Sequence, residues 1–190
     1  EQPVLPKGNN LSLHLLELFT SQVAKVGMTD GIRQVLQEES DALRAYYEQA
    51  GILIARPAGG TSCRLAISAK GGTNAENHNH NDVGSYAVAL GSETMVGDQG
   101  GPNSYPGDYF NGDAPQKYKI KGSFGHPVPV VDGRTQSSGG KAKGVVLQKE
   151  FTNEKDVFSI DYTSAYSTPN LDKLIRTFVY DRQGKGSFTV

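Results

Sequence analysis

The chain of 190 residues contains one cysteine, Cys63. No disulfide can form within it, and cysteine usage points to neither an oxidising nor a reducing compartment. No apolar run approaches the roughly 20 residues that a membrane-spanning helix requires. No signal-peptide pattern is present either. Glu1 is not a natural start, and Gly186-Ser187-Phe188-Thr189-Val190 stops inside a strand-like pattern. The chain is therefore expected to be cut at both ends, which leaves the missing leader with little weight. Charge of one sign is not in excess: the formal net charge is −1, and nothing in that total points to nucleic acid. There is no internal repeat, which argues against a solenoid or propeller. What remains is 36% apolar and 21% charged, the balance of an ordinary globular protein, at a length that can bury a sizeable single core.

Periodicity divides the chain near Gly51. Before it, Leu13, Leu16 and Phe19 recur at helical spacing from Leu11 to about Lys25, and Ile32, Leu36, Leu43 and Tyr47 do so from Asp30 to about Gln49. Thr29-Asp30 supplies an N-cap for the second segment, and Gly51 stands where a C-terminal glycine belongs. His14 lies on the first helix and reads as structural. Glu38, Glu39, Asp41 and Glu48 read as the solvated face of the second. From Gly51 onward the period is two. Strands are expected at Ile52–Arg56, Cys63–Ser68, Tyr86–Leu90, Glu93–Val96, Val128–Val131, Gly144–Phe151, Val157–Tyr166 and Leu174–Tyr180. Many short strands with turn signals between them predict an antiparallel β-sandwich preceded by two α-helices. Thr135–Lys141 reads as a flexible connector. Gln99–Ala114, rich in Gly, Pro and Asn, is a long loop of the kind that usually carries function.

The densest chemistry is in Glu76-Asn77-His78-Asn79-His80-Asn81-Asp82-Val83-Gly84-Ser85, which holds two of the four histidines, three asparagines and two carboxylates. In an extended segment His78, His80 and Asp82 would share one face and Asn77, Asn79 and Asn81 the other. A His-x-His pair can offer two nitrogens to one Zn²⁺, which would need further ligands from elsewhere. Asp98, at the end of a strand, and His126, flanked by Gly125 and Pro127, are the candidates. A polar loop whose asparagines satisfy turn backbones is the plain alternative. One point of geometry stays open. If Gly91-Ser92 closes a hairpin, Asp98 faces Ser85, and His80 lies on the order of 16 Å away along a straight strand. The histidine segment must bend back, or the pairing differs. Lys117, Lys119 and Lys121 alternate in Lys117-Tyr118-Lys119-Ile120-Lys121. They form either a local basic face or a lysine-protected edge strand.

Three motifs in order, Asn74–Ser85, Val96-Gly97-Asp98-Gln99-Gly100-Gly101 and Gly125-His126-Pro127-Val128-Pro129, give the chain a resemblance to the heparinase II/III-like family of polysaccharide lyases. The likeness extends from about Gly51 to about Gly133. It implies that residues 1–50 are the last helices of an α-helical toroid domain and that residues 51–190 are the start of the family's β-sandwich, with the catalytic cleft between the two. The implied reaction is β-elimination at a uronic acid of an anionic polysaccharide, heparan-sulfate-like or alginate-like. The implied roles are catalysis for His78 and structural zinc ligation for His80, Asp98 and His126. Asn77, Asn79 and Tyr105 are candidate substrate contacts.

The resemblance further implies a periplasmic or secreted enzyme without a membrane span, with the toroid of the parent chain as a partner domain and a homodimer as a candidate assembly. The family's catalytic tyrosine comes from the toroid, and neither Tyr105, Tyr109 nor Tyr118 matches it, so this chain alone is expected to be inactive. A second reading stays open: a non-catalytic, metal-stapled β-sandwich that binds carbohydrate. A small cupin-like metalloenzyme would need a glutamate and a further histidine in ligand positions, and no such set is evident.

Overall fold

The structure, a computed structural model, describes residues 42–98, 101–102 and 104–190. Within them the protein is mainly β and its sheets are antiparallel, as the alternating pattern predicts. One sheet runs β1 (Arg44–Tyr47), β2 (Ile52–Ala55), β3 (Leu65–Lys70), β5 (Tyr86–Leu90) and β6 (Glu93–Val96) in that order. A second runs β11 (Ser187–Thr189), β10 (Ile175–Asp181), β9 (Lys155–Asp161) and β8 (Val145–Phe151). A small two-stranded sheet joins β4 (Thr73–Asn74) to β7 (Gly139–Lys143).

The two larger sheets share one apolar core. Leu53, Ala55, Ile67 and Val88 of the first meet Phe158, Ile160, Phe178 and Tyr180 of the second. Phe158 and Phe178 are directly cross-strand, their rings stacked with centroids 6.1 Å apart, the pairing that stabilises antiparallel ladders.

The expected helix over Leu11–Lys25, with His14, lies outside the described residues. The expected helix from Asp30 to about Gln49 is corrected at its described end, because Arg44–Tyr47 is strand β1, paired with β2 in the register Tyr47↔Ile52. The sheet therefore reaches back before Gly51, the boundary expected for the sandwich. Tyr46, not the predicted Tyr47, faces the core: its ring meets Phe151 and Phe158 edge-on at 5.6 and 5.8 Å, while Tyr47 is exposed. Two adjacent aromatics beside a ready β2 edge outweigh a weak helical stripe. Gly51 is not a helix cap but the left-handed end of the β1–β2 turn (φ 61°), where a Cβ would stand 2.6 Å from the Gly72 nitrogen.

Two further expectations are revised. Val128–Val131 is no strand. It leads into an Asp132-Gly133 turn, closed by paired backbone hydrogen bonds between Val131 and Arg134, in which both turn residues have positive φ. Lys117, Lys119 and Lys121 share no strand face either. Lys117 ends a short helix, α1 (Ala114–Lys117), Lys119 is exposed, and Lys121 is buried. Among the described residues no helix is long and apolar enough to cross a membrane.

Candidate functional site

The histidine motif is a folded loop, not a strand, so its side chains do not alternate. The chain leaves β3, passes β4, turns with the Asn79 N–H bonded to the Glu76 carbonyl at 3.1 Å, and returns to the end of β3. There Gly84 N–H donates to Lys70 O at 2.8 Å and Lys70 N–H to Ser85 O at 2.9 Å. His78 sits in the left-handed region (φ 59°), exposed, with its ring stacked on Phe110 at 4.2 Å. It does not join His80, which turns inward and places Nδ1 3.1 Å from His126 Nε2. His126 Nδ1 in turn lies 2.6 Å from Asp98 Oδ2.

This fold-back answers the 16 Å question. A register shift between Val88 and Ala89 pairs Val88 with Val96, so continuing the ladder sets Asp98 level with Tyr86 rather than Ser85. His126 then bridges Asp98 and His80.

Buried polar contacts hold the loop. Gln136, 2% exposed, accepts from Asn74 Nδ2 (2.9 Å) and Val83 N–H (3.0 Å) through Oε1 and donates to Val83 O (2.7 Å) through Nε2. Asn81 donates its amide to Gln136 O and Ser138 Oγ, and its backbone N–H to Lys121 O. The expected flexible connector Thr135–Lys141 is thus part of the support, and its end forms β7. Arg176 Nη1 donates to Gly84 O and Pro127 O, both at 2.7 Å, and so ties the histidine loop to the His126 turn.

The hydrogen bonds around the two inner histidines read as one directional chain. Tyr109 Oη donates to His80 Nε2 (3.4 Å), His80 Nδ1–H to His126 Nε2, and His126 Nδ1–H to Asp98. This tautomer assignment leaves every acceptor matched to a donor. It requires a neutral His80. Burial, with the adjacent His126, pushes that imidazole down to about 4 against the opposing pull of Asp82 and Asp98.

Donors for a cation also converge here. One ligand atom each from Asp82, Asp98 and His126 lies within 4.8 Å of the others, and His80 is in contact with His126. Around a tetrahedral zinc with bonds of about 2.1 Å, ligand atoms sit roughly 3.4 Å apart. Asp82, Asp98 and His126 are donors of the kind such an ion takes and would have to draw closer to hold it, whereas His80 lies at the Nε2 of His126 and Asp98 at its Nδ1. Asp82, which was not foreseen as a ligand, is buried and paired with Lys70 Nζ at 2.5 Å. Its sequence signal was its position two residues after His80.

The remaining expected residues fall elsewhere. Asn77 is exposed. Asn79 accepts from Lys70 Nζ at 3.2 Å and donates to the His80 carbonyl. Tyr105 is 56% exposed, its ring 5.0 Å from those of Tyr109 and Phe110. Lys121, expected on a basic or edge-strand face with Lys117 and Lys119, is instead buried. It donates from Nζ to Tyr109 O at 2.8 Å and lies over the Tyr109 and Phe110 rings.

No family model matches the chain, and neither does any curated protein. Solved structures do. Heparan sulfate lyase HepC from Pedobacter heparinus aligns with a TM-score of 0.59 at 17% identity, over 90% of this chain and 26% of its own. A mutant of that enzyme aligns at 0.58 and 18%, over 77% and 23%. The fold is polysaccharide-lyase-like. The chain spans about a quarter of the length of these lyases, and identities this low carry the likeness of fold alone.

Proposed function

We propose that this chain is part of a heparinase II/III-like polysaccharide lyase, periplasmic or secreted, that cleaves a uronic-acid-containing polysaccharide by β-elimination. The observation that carries the reading is the convergence of His80, His126 and Asp98, in the loop that turns His78 outward, on a fold similar to that of a heparan sulfate lyase. In such a reaction the proton α to the uronate carboxylate is removed, its electron pair forms the new carbon–carbon double bond, and the 4-linked oxygen leaves with a proton.

His78 is the residue of this chain placed to meet substrate. A neutral imidazole there accepts the α proton or donates a hydrogen bond to the developing enolate-like oxygens. Stacking on Phe110 holds the ring. His80, Asp98 and His126, with Asp82 beside them, would hold a zinc ion, whose contribution is to fix the backbone that carries His78. Asn77, Asn79 and Tyr105 are the proposed substrate contacts. The remaining acid or base, a tyrosine, would come from the toroid of the parent chain.

The test is elemental analysis of the purified chain, together with ultraviolet detection of unsaturated uronate produced by the parent protein. About one zinc per chain, lost in His80→Ala and in His126→Ala, is expected, and His78→Ala in the parent should keep the metal and abolish product. One observation favours a second reading. His78 stands apart from the inner cluster, as it would in a carbohydrate-binding sandwich that has a metal staple and no catalysis. Full product formation by the His78→Ala parent would select that reading.

A further inference from the structure

Large aromatic side chains are normally covered, yet Tyr105 and Phe110 are 56% and 45% exposed on the same loop. Their ring centroids are 5.0 Å apart, and the exposed His78 imidazole is stacked against Phe110. The pair is not loose. Both rings rest on Tyr109, which is 1% exposed and whose carbonyl is held by the buried Lys121 ammonium. The same ammonium lies 5.2 Å from the centre of the Phe110 ring. A buried lysine thus props an exposed aromatic wall with a histidine at its edge. Gly101 leaves room for it: a Cβ there would meet Tyr105 Oη at 3.0 Å.

We propose that Tyr105 and Phe110 form a stacking platform for one pyranose ring of the polysaccharide, which sets the neighbouring sugar at His78. The proposal rests on the lyase reading above and extends it to the part of substrate that the site grips. Two rings are too small a patch for a stable protein partner; tilted 48° to each other, with His78 stacked on Phe110, they form a cupped wall against which the apolar C–H face of a sugar can rest while its hydroxyls stay wet. The rim fits that occupant. Asn77 and Asn111, the chain neighbours of His78 and Phe110, are exposed, and the Lys117 ammonium is neutralised by Asp108. The platform therefore reads the ring and not its charge. Its share of binding should be insensitive to salt and to sulfation, unlike contacts made by unpaired cations.

The experiment is calorimetric titration of the parent protein with a heparan sulfate hexasaccharide and with an alginate hexasaccharide, at low and high salt. Zinc content and circular dichroism serve as controls for folding. Tyr105→Ala and Phe110→Leu should each weaken binding of the better ligand roughly tenfold at either salt. Phe110→Tyr should restore it, and Tyr47→Ala, a comparably exposed tyrosine on β1, should change nothing. Unchanged binding in both platform variants, or a loss seen only at low salt, overturns the platform. The lyase reading survives that result as long as the parent still yields unsaturated product in a His78-dependent way. A parent that binds neither saccharide and forms no product overturns both.

Discussion

Replacing Gln136 by alanine tests whether the histidine loop is held by the buried amide. The substitution leaves the Val83 N–H and the Val83 carbonyl without the Gln136 amide and takes one acceptor from the Asn74 amide, which keeps Ser137 O at 2.8 Å. Each hydrogen-bonding group left unpaired in the interior costs about 1–3 kcal/mol, and the vacated side chain adds a cavity penalty. The expected loss is about 4 kcal/mol. With a urea slope of about 2 kcal/mol/M for a domain of this size, the denaturation midpoint should fall by about 2 M with its slope unchanged. Gln136→Met fills the space without the hydrogen bonds and should recover only about 1 kcal/mol of the loss, which separates the polar cost from the cavity. Because Val83 follows His80 closely, zinc retained under native conditions should fall as well. A loss below about 1 kcal/mol in Gln136→Ala, with metal content intact, would show that other contacts shape the loop.

Further outcomes follow from the same geometry. A Cβ on Gly125 would stand 2.5 Å from Ile120 O and 2.7 Å from its Cα. Gly125→Ala should therefore displace the adjacent His126 and weaken the proposed zinc binding by about 10–100-fold in competition with a chelating dye. Arg176→Met unties Gly84 from Pro127 and leaves two carbonyls without their charged donor. A loss of about 2–4 kcal/mol in chemical denaturation is expected, whereas a neutral result would mean that the two loops hold each other without it. Burial raises the phenols of Tyr162, Tyr166 (to about 12) and Tyr180 above their usual 10. The unfolded chain then loses these protons first, so stability is intact below pH 10 and falls as pH climbs from 10 toward 12. Tyr166→Phe should make that alkaline decline shallower in thermal melts taken across the range.

The strands were legible because short runs of β-branched and apolar residues stand between turn signals, even where, as in β8, neither face is buried. Tyr86–Leu90 and Glu93–Val96 emerge with the limits expected of them, and β8 and β10 lie within one residue of expectation, whereas β9 stops at Asp161 and the expected strand end at Tyr166 is instead a 3-10 turn over Thr163–Ala165. The failure at Arg44–Tyr47 has a definite cause. Four residues with Leu43 and Tyr47 on a helical stripe carry little free energy of their own, and the β2 edge decides their conformation through backbone hydrogen bonds that no local pattern records. The lysine alternation in Lys117–Lys121 misled for the opposite reason. With α1 ending at Lys117 and the chain turning after it, alternation in sequence had no strand to act on, and Lys121 went inside.

The site shows the same limit at a finer scale. The residue types pair His78 with His80 and offer Asp98 and His126 beside them, and it is the family resemblance that sets His80, Asp98 and His126 together; the structure brings these three into contact, but the reason they meet is not local. Treating Glu76–Ser85 as an extended segment put His78 with His80 and left Asp98 far away. The real loop sends His78 out onto Phe110 and His80 in toward His126. What separates the two histidines is a set of buried amides, Asn74, Asn81 and Gln136, whose value lies in pairing with backbone groups distant in sequence. Asparagines in a histidine-rich motif invite a substrate-binding role, yet Asn81 is spent entirely on holding the loop, and the amide of Asn79 is turned to Lys70 and its own backbone. In a loop this polar, folding requires that interior amides be satisfied first, so of the substrate contacts proposed above Asn79 is the one whose amide is already engaged, and His78, Asn77 and the Tyr105–Phe110 pair are the side chains left outside.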